Sequence, residues 1–251
     1  MNILLTNDDG VHAPGILALQ DELAKYARVI TVAPDREKSA ASHQISIHTP
    51  VRINEIDNDI YALDGTPVDC VKFSLGGFIN EKIDLVVSGI NNGPNMGMDV
   101  IYSGTVAAAR EALIKNVPSI AFSIGGFFNT KQFKSAAINC GIITDFFLNH
   151  DIIKDIFINV NVPNISHEDI KGIKITSLGH RNYHEKIIKT QDPYGKKFYW
   201  LGGDIPDHNN IEGSDLTVVE QGYISITPLH LDTTAFSKIE NLKLSGLEKI
   251  I

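Results

Sequence analysis

The chain has 251 residues, and its 22 lysines and arginines against 30 aspartates and glutamates give a formal net charge of −8 at pH 7. That length allows one large domain or two small ones and is ample for a substantial core. Hydrophobic residues make up 43% of the chain and charged residues 21%, which excludes a low-complexity chain. The acidic balance argues against a protein that coats nucleic acid polymers, because such proteins need lysines and arginines on one face.

Targeting signals are not evident in the sequence. The first nine residues lack a basic region and stop being apolar too early for a signal peptide. No run approaches the ~18 consecutive apolar residues of a membrane span. The two cysteines, Cys70 and Cys140, match no metal-binding or redox spacing. We therefore expect a cytoplasmic protein that is not attached to a membrane.

The first half of the chain alternates strand-like and helix-like segments. Its strand-like runs are nearly all apolar, as expected when helices cover both faces of a parallel sheet. Strands are predicted at 2–6, 28–33, 83–88, 118–123 and 155–162. Helices are predicted at 14–24 and 131–148. Two more helices are predicted to begin after Thr66 and Ser103, whose hydroxyls can cap a helix N-terminus. The stretch between the second strand and Thr66 is predicted to be irregular. The pattern favours an α/β protein with a mostly parallel sheet.

The pattern changes after about residue 163. The second half contains short extended pieces, a predicted hairpin turn at 194–196 and a connection rich in serine and aspartate at 213–215. We expect residues 1–163 to form the catalytic core and residues 164–251 to form an irregular extension with a β-hairpin arm. No disordered linker separates the two parts, so they are expected to form one domain overall.

Two adjacent carboxylates, Asp8 and Asp9, directly follow the first predicted strand. Ligands of open parallel sheets collect outside the carboxyl ends of strands, so these carboxylates are well placed for a site. The alternative is a simple tight turn, because asparagine, aspartate and glycine are common turn residues. From these residues alone the two interpretations are about equally favoured.

Other predicted strand ends add further oxygen donors. The loop after the second strand contains Ser39, and the loop after the third contains Asn91 and Asn95. Carboxylate, hydroxyl and amide oxygens are the ligands that hard cations such as Mg²⁺ and Mn²⁺ prefer. The pattern favours a hard-metal site over a zinc site, although each asparagine alone is equally well explained by a turn.

The start of the alanine-rich helix, Ser103-Gly104-Thr105, combines free backbone N–H groups with two hydroxyls. A helix N-terminus of this kind can hold a phosphate without any basic residue. Ordinary helix capping is the more frequent explanation of such a sequence. The motifs of P-loop NTPases, dinucleotide-binding proteins and nucleophile-elbow hydrolases are absent from the sequence.

Together these segments resemble the SurE family, the survival proteins that act as metal-dependent 5′-nucleotidases. The resemblance spans most of the chain and is carried by 3–15, 32–36 with Ser39, 65–70, 87–91 with 93–95, 99–109, 159–163, 191–193 and 222–229, whereas Asn92 replaces a small residue usual in the family. It implies a Rossmann-like three-layer core and a homodimer or homotetramer assembled partly by exchange of C-terminal segments. It also implies that one divalent cation is held by Asp8, Asp9, Ser39 and Asn91, and that Asn95 and Ser103-Gly104-Thr105 lie near the substrate phosphate.

The implied reaction is hydrolysis of nucleoside 5′-monophosphates, with Asp8 and Asp9 anchoring the cation and one of them orienting or deprotonating the attacking water. Two other functions stay open. A metal-dependent nucleoside N-glycosidase also places aspartates and asparagines around a divalent cation, but it releases a free base instead of phosphate. A non-catalytic nucleotide-binding regulator would bind metal and turn nothing over.

Overall fold

The computed structural model describes residues 1–126, 131–150, 154–203 and 207–250. Its centre is a nine-stranded sheet with the order β3-β4-β2-β1-β5-β6-β7-β13-β8. The six strands from β4 to β7 in that order run parallel to one another, while β3 pairs antiparallel with β4 and β13 pairs antiparallel with β7. The expected α/β class with a mostly parallel sheet is confirmed.

The strands of the large sheet are β1 (Asn2–Thr6), β2 (Arg28–Pro34), β3 (Ile53–Asp57), β4 (Ile60–Leu63), β5 (Leu85–Asn91), β6 (Ser119–Ile124), β7 (Phe157–Val162), β8 (Ile173–Ile175) and β13 (Ile224–Leu229). The longer helices of the core are α1 (Pro14–Leu23), α2 (Pro67–Phe73), α3 (Gly104–Ile114) and α4 (Phe133–Asn149). Each predicted strand and helix of the first half is present, with ends that differ by at most a few residues.

Helices cover both faces of the sheet. Ile3 and Leu5 of β1 pack in one apolar cluster with residues of α1 and α4, whereas Leu4 packs in a second cluster with residues of α2 and α3. All three side chains are completely buried. The alternation follows from the two-residue period of a strand, and it explains why three successive residues of β1 are apolar.

Two predictions for the first half are wrong in detail. The stretch predicted to be irregular contains a hairpin, in which β3 and β4 are joined by Asn58 and Asp59, with Asp59 at a φ of +59°. In addition, β5 begins two residues later than predicted and continues to Asn91. Asn91 is therefore the last residue of a strand, which fixes its backbone more firmly than a loop would.

Residues after 163 add to the same sheet and also extend beyond it. β8 and β13 lie beside β7, and α5 (Asp215–Glu220) precedes β13. A separate hairpin consists of β10 (Glu185–Gln191) and β11 (Lys197–Gly203), with its turn at the predicted position. Short strands β9 (Arg181–Asn182) and β12 (Asp207–His208) pair with each other, and α6 (Phe236–Leu244) lies near the C-terminus. None of the helices in the described residues is long and apolar enough to cross a membrane.

Candidate active site

The sheet reverses its winding direction between β1 and β5. From β1 the chain proceeds outward through β2 and β4, and it then returns to the other side of β1 to form β5, β6 and β7. The carboxyl ends of β1 and β5 therefore diverge at this point and leave a crevice between their loops, which is the usual ligand position in such sheets. Asp8 and Asp9 follow β1, and Asn91 ends β5, so both groups lie at this crevice.

The crevice opens into a cleft of about 340 Å³, which we call the acidic cleft. Six of the eight residues proposed from the sequence line it: Asp8, Asp9, Ser39, Asn91, Asn95 and Ser103. Gly104 and Thr105 lie directly behind it, against Asp8. The structure thus brings all eight residues together.

Asp8 is held by the start of α3. The hydroxyl of Thr105 donates a hydrogen bond to one carboxylate oxygen of Asp8, and the Thr105 backbone N–H donates to the other at 3.2 Å. A Cβ atom at Gly104 would lie only 3.0 Å from Asp8, so the lack of a side chain at Gly104 favours this close approach. Burial raises the pKa of Asp8, and these hydrogen bonds oppose the increase. The helix N-terminus therefore stabilises a buried negative charge and fixes its position.

Asp9 lies beside Asp8 and is less buried. One of its carboxylate oxygens accepts a hydrogen bond of 2.9 Å from the backbone N–H of Asn92. Burial and the neighbouring charges of Asp8 and Glu37 raise the pKa of Asp9 to about 6. Two adjacent carboxylates with raised pKa values form a strongly negative centre that a cation would stabilise.

The neutral donors line the same cleft as the two carboxylates. The side-chain amide of Asn91 donates to the carbonyl oxygen of Gly93 at 2.8 Å, which leaves its Oδ1 atom 3.3 Å from the Thr105 hydroxyl that binds Asp8. The hydroxyl of Ser39 donates to Glu37 at 2.6 Å, so its oxygen lone pairs remain available. Two carboxylates, one amide oxygen and one hydroxyl form a donor set that suits a hard divalent cation.

No group of three or more histidine, cysteine, aspartate and glutamate side chains arranged to hold a metal occurs among residues 1–126, 131–150, 154–203 and 207–250. The acidic cleft does not contradict this, because half of its proposed donors are neutral oxygens. Such a set suits a hard divalent cation, which binds through oxygen ligands and retains water, better than it suits zinc.

Asn95 and Ser103 form the wall beside the carboxylates. The backbone of Asn95 is fixed by two asparagines of β7, since its N–H donates to Asn161 and its carbonyl oxygen accepts from Asn159 and Asn161. Its side-chain amide donates to the Ser123 hydroxyl at 2.9 Å, which uses one of the two amide hydrogens. The Ser103 oxygen caps α3 by accepting the Val106 N–H at 3.1 Å, and this bond leaves the hydroxyl hydrogen for another acceptor.

Sequence reasoning missed a second set of polar groups on the cleft, Asp99, Arg181 and Tyr183. The guanidinium of Arg181 and the hydroxyl of Tyr183 both donate hydrogen bonds to the Asp99 carboxylate. Arg181 is only 8% exposed and supplies positive charge at the edge of an otherwise acidic cleft. The sequence does contain one indication of this set, the two-residue spacing of Arg181 and Tyr183, since residues two apart on an extended segment face the same side.

The fold and the cleft define the class to which the chain belongs, an α/β protein whose sheet carries an oxygen-rich, acidic ligand site at its winding reversal. Among family models, the one described as "Survival protein SurE" matches residues 3–185. The chain therefore belongs to the SurE family, which confirms the resemblance stated from its motifs.

Individual relatives match along nearly the whole chain. It is 45% identical to a "5′-nucleotidase SurE" of Geobacter sulfurreducens over 97% of this chain and 93% of that protein. It is 46% identical to the "5′-nucleotidase SurE" of Aquifex aeolicus over 96% of both chains. The crystal structure of the Sure protein from Aquifex aeolicus superposes with a TM-score of 0.87 at 44% identity, covering 98% of this chain and 99% of that one.

Proposed function

We propose that this chain is a divalent-metal-dependent 5′-nucleotidase, a phosphoric monoester hydrolase that converts nucleoside 5′-monophosphates into nucleosides and phosphate. The observation that carries the proposal is the acidic cleft, in which the four oxygen donors and the start of α3 meet at the winding reversal of the sheet. The names of the curated relatives support the same reaction.

Asp8, Asp9, Ser39 and Asn91 would hold one divalent cation, Mg²⁺ or Mn²⁺. When bound, such a cation supplies positive charge that polarises the phosphoryl group and stabilises the charge that develops during displacement. A bound cation explains how a protein with a negative net charge can bind a substrate that carries two negative charges. The cation offsets the charges of Asp8 and Asp9, and the cleft then becomes attractive to phosphate.

Asp8 and Asp9 differ in what they can do. Both oxygens of Asp8 accept hydrogen bonds from Thr105, so Asp8 serves as a fixed anchor. One oxygen of Asp9 accepts only the Asn92 N–H, and the residue is more exposed, so its other oxygen can orient a water molecule or accept its proton. Asp9 is therefore better placed than Asp8 to take part in activating the water.

Asn95, Ser103, Gly104 and Thr105 would surround the substrate phosphate. Asn95 has a second amide hydrogen and Ser103 a hydroxyl hydrogen beyond the bonds that fix them. Gly104 keeps the helix start close to Asp8, and Thr105 places the helix N-terminus there. The positive end of the helix α3 dipole adds to the attraction for phosphate.

The test measures phosphate release from a panel of nucleoside 5′-monophosphates, with Mg²⁺, Mn²⁺ or excess chelator. Parent protein is compared with Asp9→Asn, and with Asp21→Asn as a control, because Asp21 is an exposed aspartate on α1. We expect metal-dependent release that falls by at least a hundredfold in Asp9→Asn and is unchanged in Asp21→Asn.

The other functions give different outcomes in the same assay. Release of free base without phosphate would identify a nucleoside N-glycosidase. Metal and nucleotide binding without any product would identify a non-catalytic regulator. Equal phosphate release by the parent and Asp9→Asn would refute the assignment of the metal site.

We further propose that residues 164–251 complete the pocket and form part of the interface of a homodimer or homotetramer in the cytoplasm. Arg181 and Tyr183 of this segment line the acidic cleft. The β10–β11 hairpin exposes large apolar side chains, with Ile187 62%, Trp200 65% and Leu201 70% accessible. Such a surface is typical of a protein interface.

A further inference from the structure

Residues 38–46 form a loop that carries Ser39 to the acidic cleft, and we call it the Ser39 loop. The structure describes every residue of this loop, and none of them lies in a helix or a strand. Ser39 itself is exposed, and its hydroxyl donates to Glu37, a neighbour in the chain. The position of Ser39 therefore depends on how the rest of the loop is attached to the protein.

The backbone of the Ser39 loop is strained at two positions. Ala40 has a φ of +57° and Ser42 has a φ of +50°. Residues with a Cβ atom rarely adopt this left-handed conformation, and it persists only where surrounding contacts hold it. A loop that lost its contacts would relax at these positions, and Ser39 would move with its neighbour Ala40.

Hydrogen bonds attach the Ser39 loop at its two ends. At its start, the Lys38 N–H donates to the carbonyl oxygen of Asp8 at 2.7 Å. At its end, the backbone N–H and the hydroxyl of Ser46 each donate at 2.8 Å to the carboxylate of Asp69, a buried residue of α2. These bonds fix where the loop begins and ends, so the residues between them need contacts of their own.

His43 connects the middle of the Ser39 loop to a helix of the core. Its Nε2 atom lies 2.9 Å from a carboxylate oxygen of Glu111 on α3, and Glu111 is only 2% exposed. A carboxylate accepts hydrogen bonds and cannot donate them, so Nε2 carries the hydrogen. The Nδ1 atom is buried and has no hydrogen-bond partner among the residues that the structure describes. The bond to Glu111 therefore orients the ring.

Glu111 has a second partner that offers a comparison with His43. Its other carboxylate oxygen lies 2.9 Å from the Nζ atom of Lys72 on α2. A buried carboxylate needs a partner, and Lys72 keeps Glu111 paired whether or not His43 is present. The two side chains bind the same carboxylate but connect different parts of the protein. Lys72 joins α2 to α3, whereas His43 joins the Ser39 loop to α3.

We propose that His43 is a positioning residue, whose bond to Glu111 holds the middle of the Ser39 loop against α3 and thereby keeps Ser39 at the acidic cleft. Thr105 at the start of the same helix binds Asp8, so α3 positions donors from two separate loops. The expected effect of His43 on metal binding rests on the proposed function, because it requires Ser39 to be a ligand of the cation.

The first test is calorimetric titration with Mn²⁺ of the parent, His43→Ala, Ser39→Ala and the variant that combines both changes. We expect His43→Ala to weaken Mn²⁺ binding about tenfold, because a ligand loses its support. The combined variant should bind within about twofold of Ser39→Ala, because both changes act through the same ligand. Lys72→Met is the matched control and should bind within about twofold of the parent, since it removes the other partner of Glu111 and leaves the loop attached.

Two further substitutions separate the hydrogen bond from the packing of the ring. His43→Leu fills the space of the ring without a hydrogen bond and should weaken Mn²⁺ binding as His43→Ala does. His43→Gln has a side-chain amide that can donate to Glu111 and should restore most of the affinity. Unchanged affinity in His43→Ala and His43→Leu, an equal loss in Lys72→Met, or losses that multiply in the combined variant would overturn the proposal.

The second test measures amide hydrogen exchange in excess chelator, without any metal. The Ser42 N–H donates to the carbonyl oxygen of Tyr102 at 3.0 Å and reports on the middle of the loop. Its exchange should be about tenfold faster in His43→Ala and His43→Leu than in the parent, and unchanged in Lys72→Met. The amides of β1 should stay protected in every variant, which shows that the core is folded.

Failure of the proposed metal site has a different signature, in which the parent protein does not bind Mn²⁺. Hydrogen exchange then decides about His43 alone. Faster exchange at Ser42 in the two His43 variants, but not in Lys72→Met, supports the positioning role. Equal exchange in the parent and the His43 variants, or an equal increase in Lys72→Met, overturns it.

Discussion

Replacement of Asp9 by asparagine is expected to make the metal-free protein more stable, although the same replacement is expected to lower phosphate release by at least a hundredfold. Asp9 lies beside the buried Asp8, and burial and like charge raise its pKa from 3.8 to about 6. The folded state therefore binds a proton more tightly than the unfolded state does. The ionised form of Asp9 destabilises the fold fully above pH ~6, and this destabilisation disappears as the pH falls below ~4.

The magnitude follows from the pKa difference. A difference of about 2 units corresponds to about 3 kcal/mol at neutral or higher pH, since each unit is worth about 1.4 kcal/mol. Asparagine has the same shape and keeps an oxygen for the Asn92 N–H, but as a neutral acceptor it binds that donor less strongly. We therefore expect a gain of about 1 to 3 kcal/mol in the free energy of unfolding.

The assay is urea denaturation in excess chelator at pH 8 and at pH 5, with the parent, Asp9→Asn and the exposed-site control Asp21→Asn. The advantage of Asp9→Asn should be largest at pH 8 and smaller at pH 5, and Asp21→Asn should stay within about 0.5 kcal/mol of the parent. Addition of Mg²⁺ or Mn²⁺ should stabilise the parent more than Asp9→Asn. A variant that is less stable than the parent at pH 8 in chelator would refute the view that two uncompensated carboxylates meet here.

Three further outcomes are expected. Thr105→Val removes the hydroxyl that orients Asp8 and should weaken Mn²⁺ binding about 10-fold to 100-fold in calorimetric titration, and unchanged affinity would contradict this role. Asp215→Ala leaves three buried backbone N–H groups without their acceptor, so urea denaturation should show a free energy of unfolding lower by about 3 kcal/mol or more. A loss below about 1 kcal/mol would show that other acceptors replace the Asp215 carboxylate. Leu201→Lys places a charge on the exposed hairpin and should reduce the mass measured by light scattering at an unchanged circular dichroism spectrum, and an unchanged mass would exclude this position from the interface.

The sequence predicted the core, and it predicted which residues meet at the acidic cleft, for identifiable physical reasons. Strands that are covered on both faces contain unbroken apolar runs, so β1 with its Ile3-Leu4-Leu5 stands out without any structural information. The polar residues that follow such strands lie at one edge of the sheet because parallel strands end together. Asp8, Asp9 and Asn91 were therefore predictable as neighbours despite their separation in the chain.

Features that depend on packing after residue 163 were not predictable in the same way. The nearness of Arg181 to Asp99 depends on the path of a segment with short strands and little periodicity. The β3–β4 hairpin was also missed, because β3 is largely exposed and only Asn58-Asp59 marks its turn. In both cases the structure is determined by tertiary contacts, which the local sequence pattern does not reveal.

The pairing of β13 with β7 has a consequence for synthesis of the chain. Every residue of β7 is buried in the complete fold, and its outer edge is covered only when β13 pairs with it, from Phe157 opposite Leu229 to Asn161 opposite Ser225. At a ribosomal rate of about 5 to 20 residues per second, the nascent chain keeps that edge uncovered for roughly 3 to 13 seconds. An unpaired strand edge is an aggregation hazard, so the emerging chain carries this hazard until β13 has been made and has paired with β7.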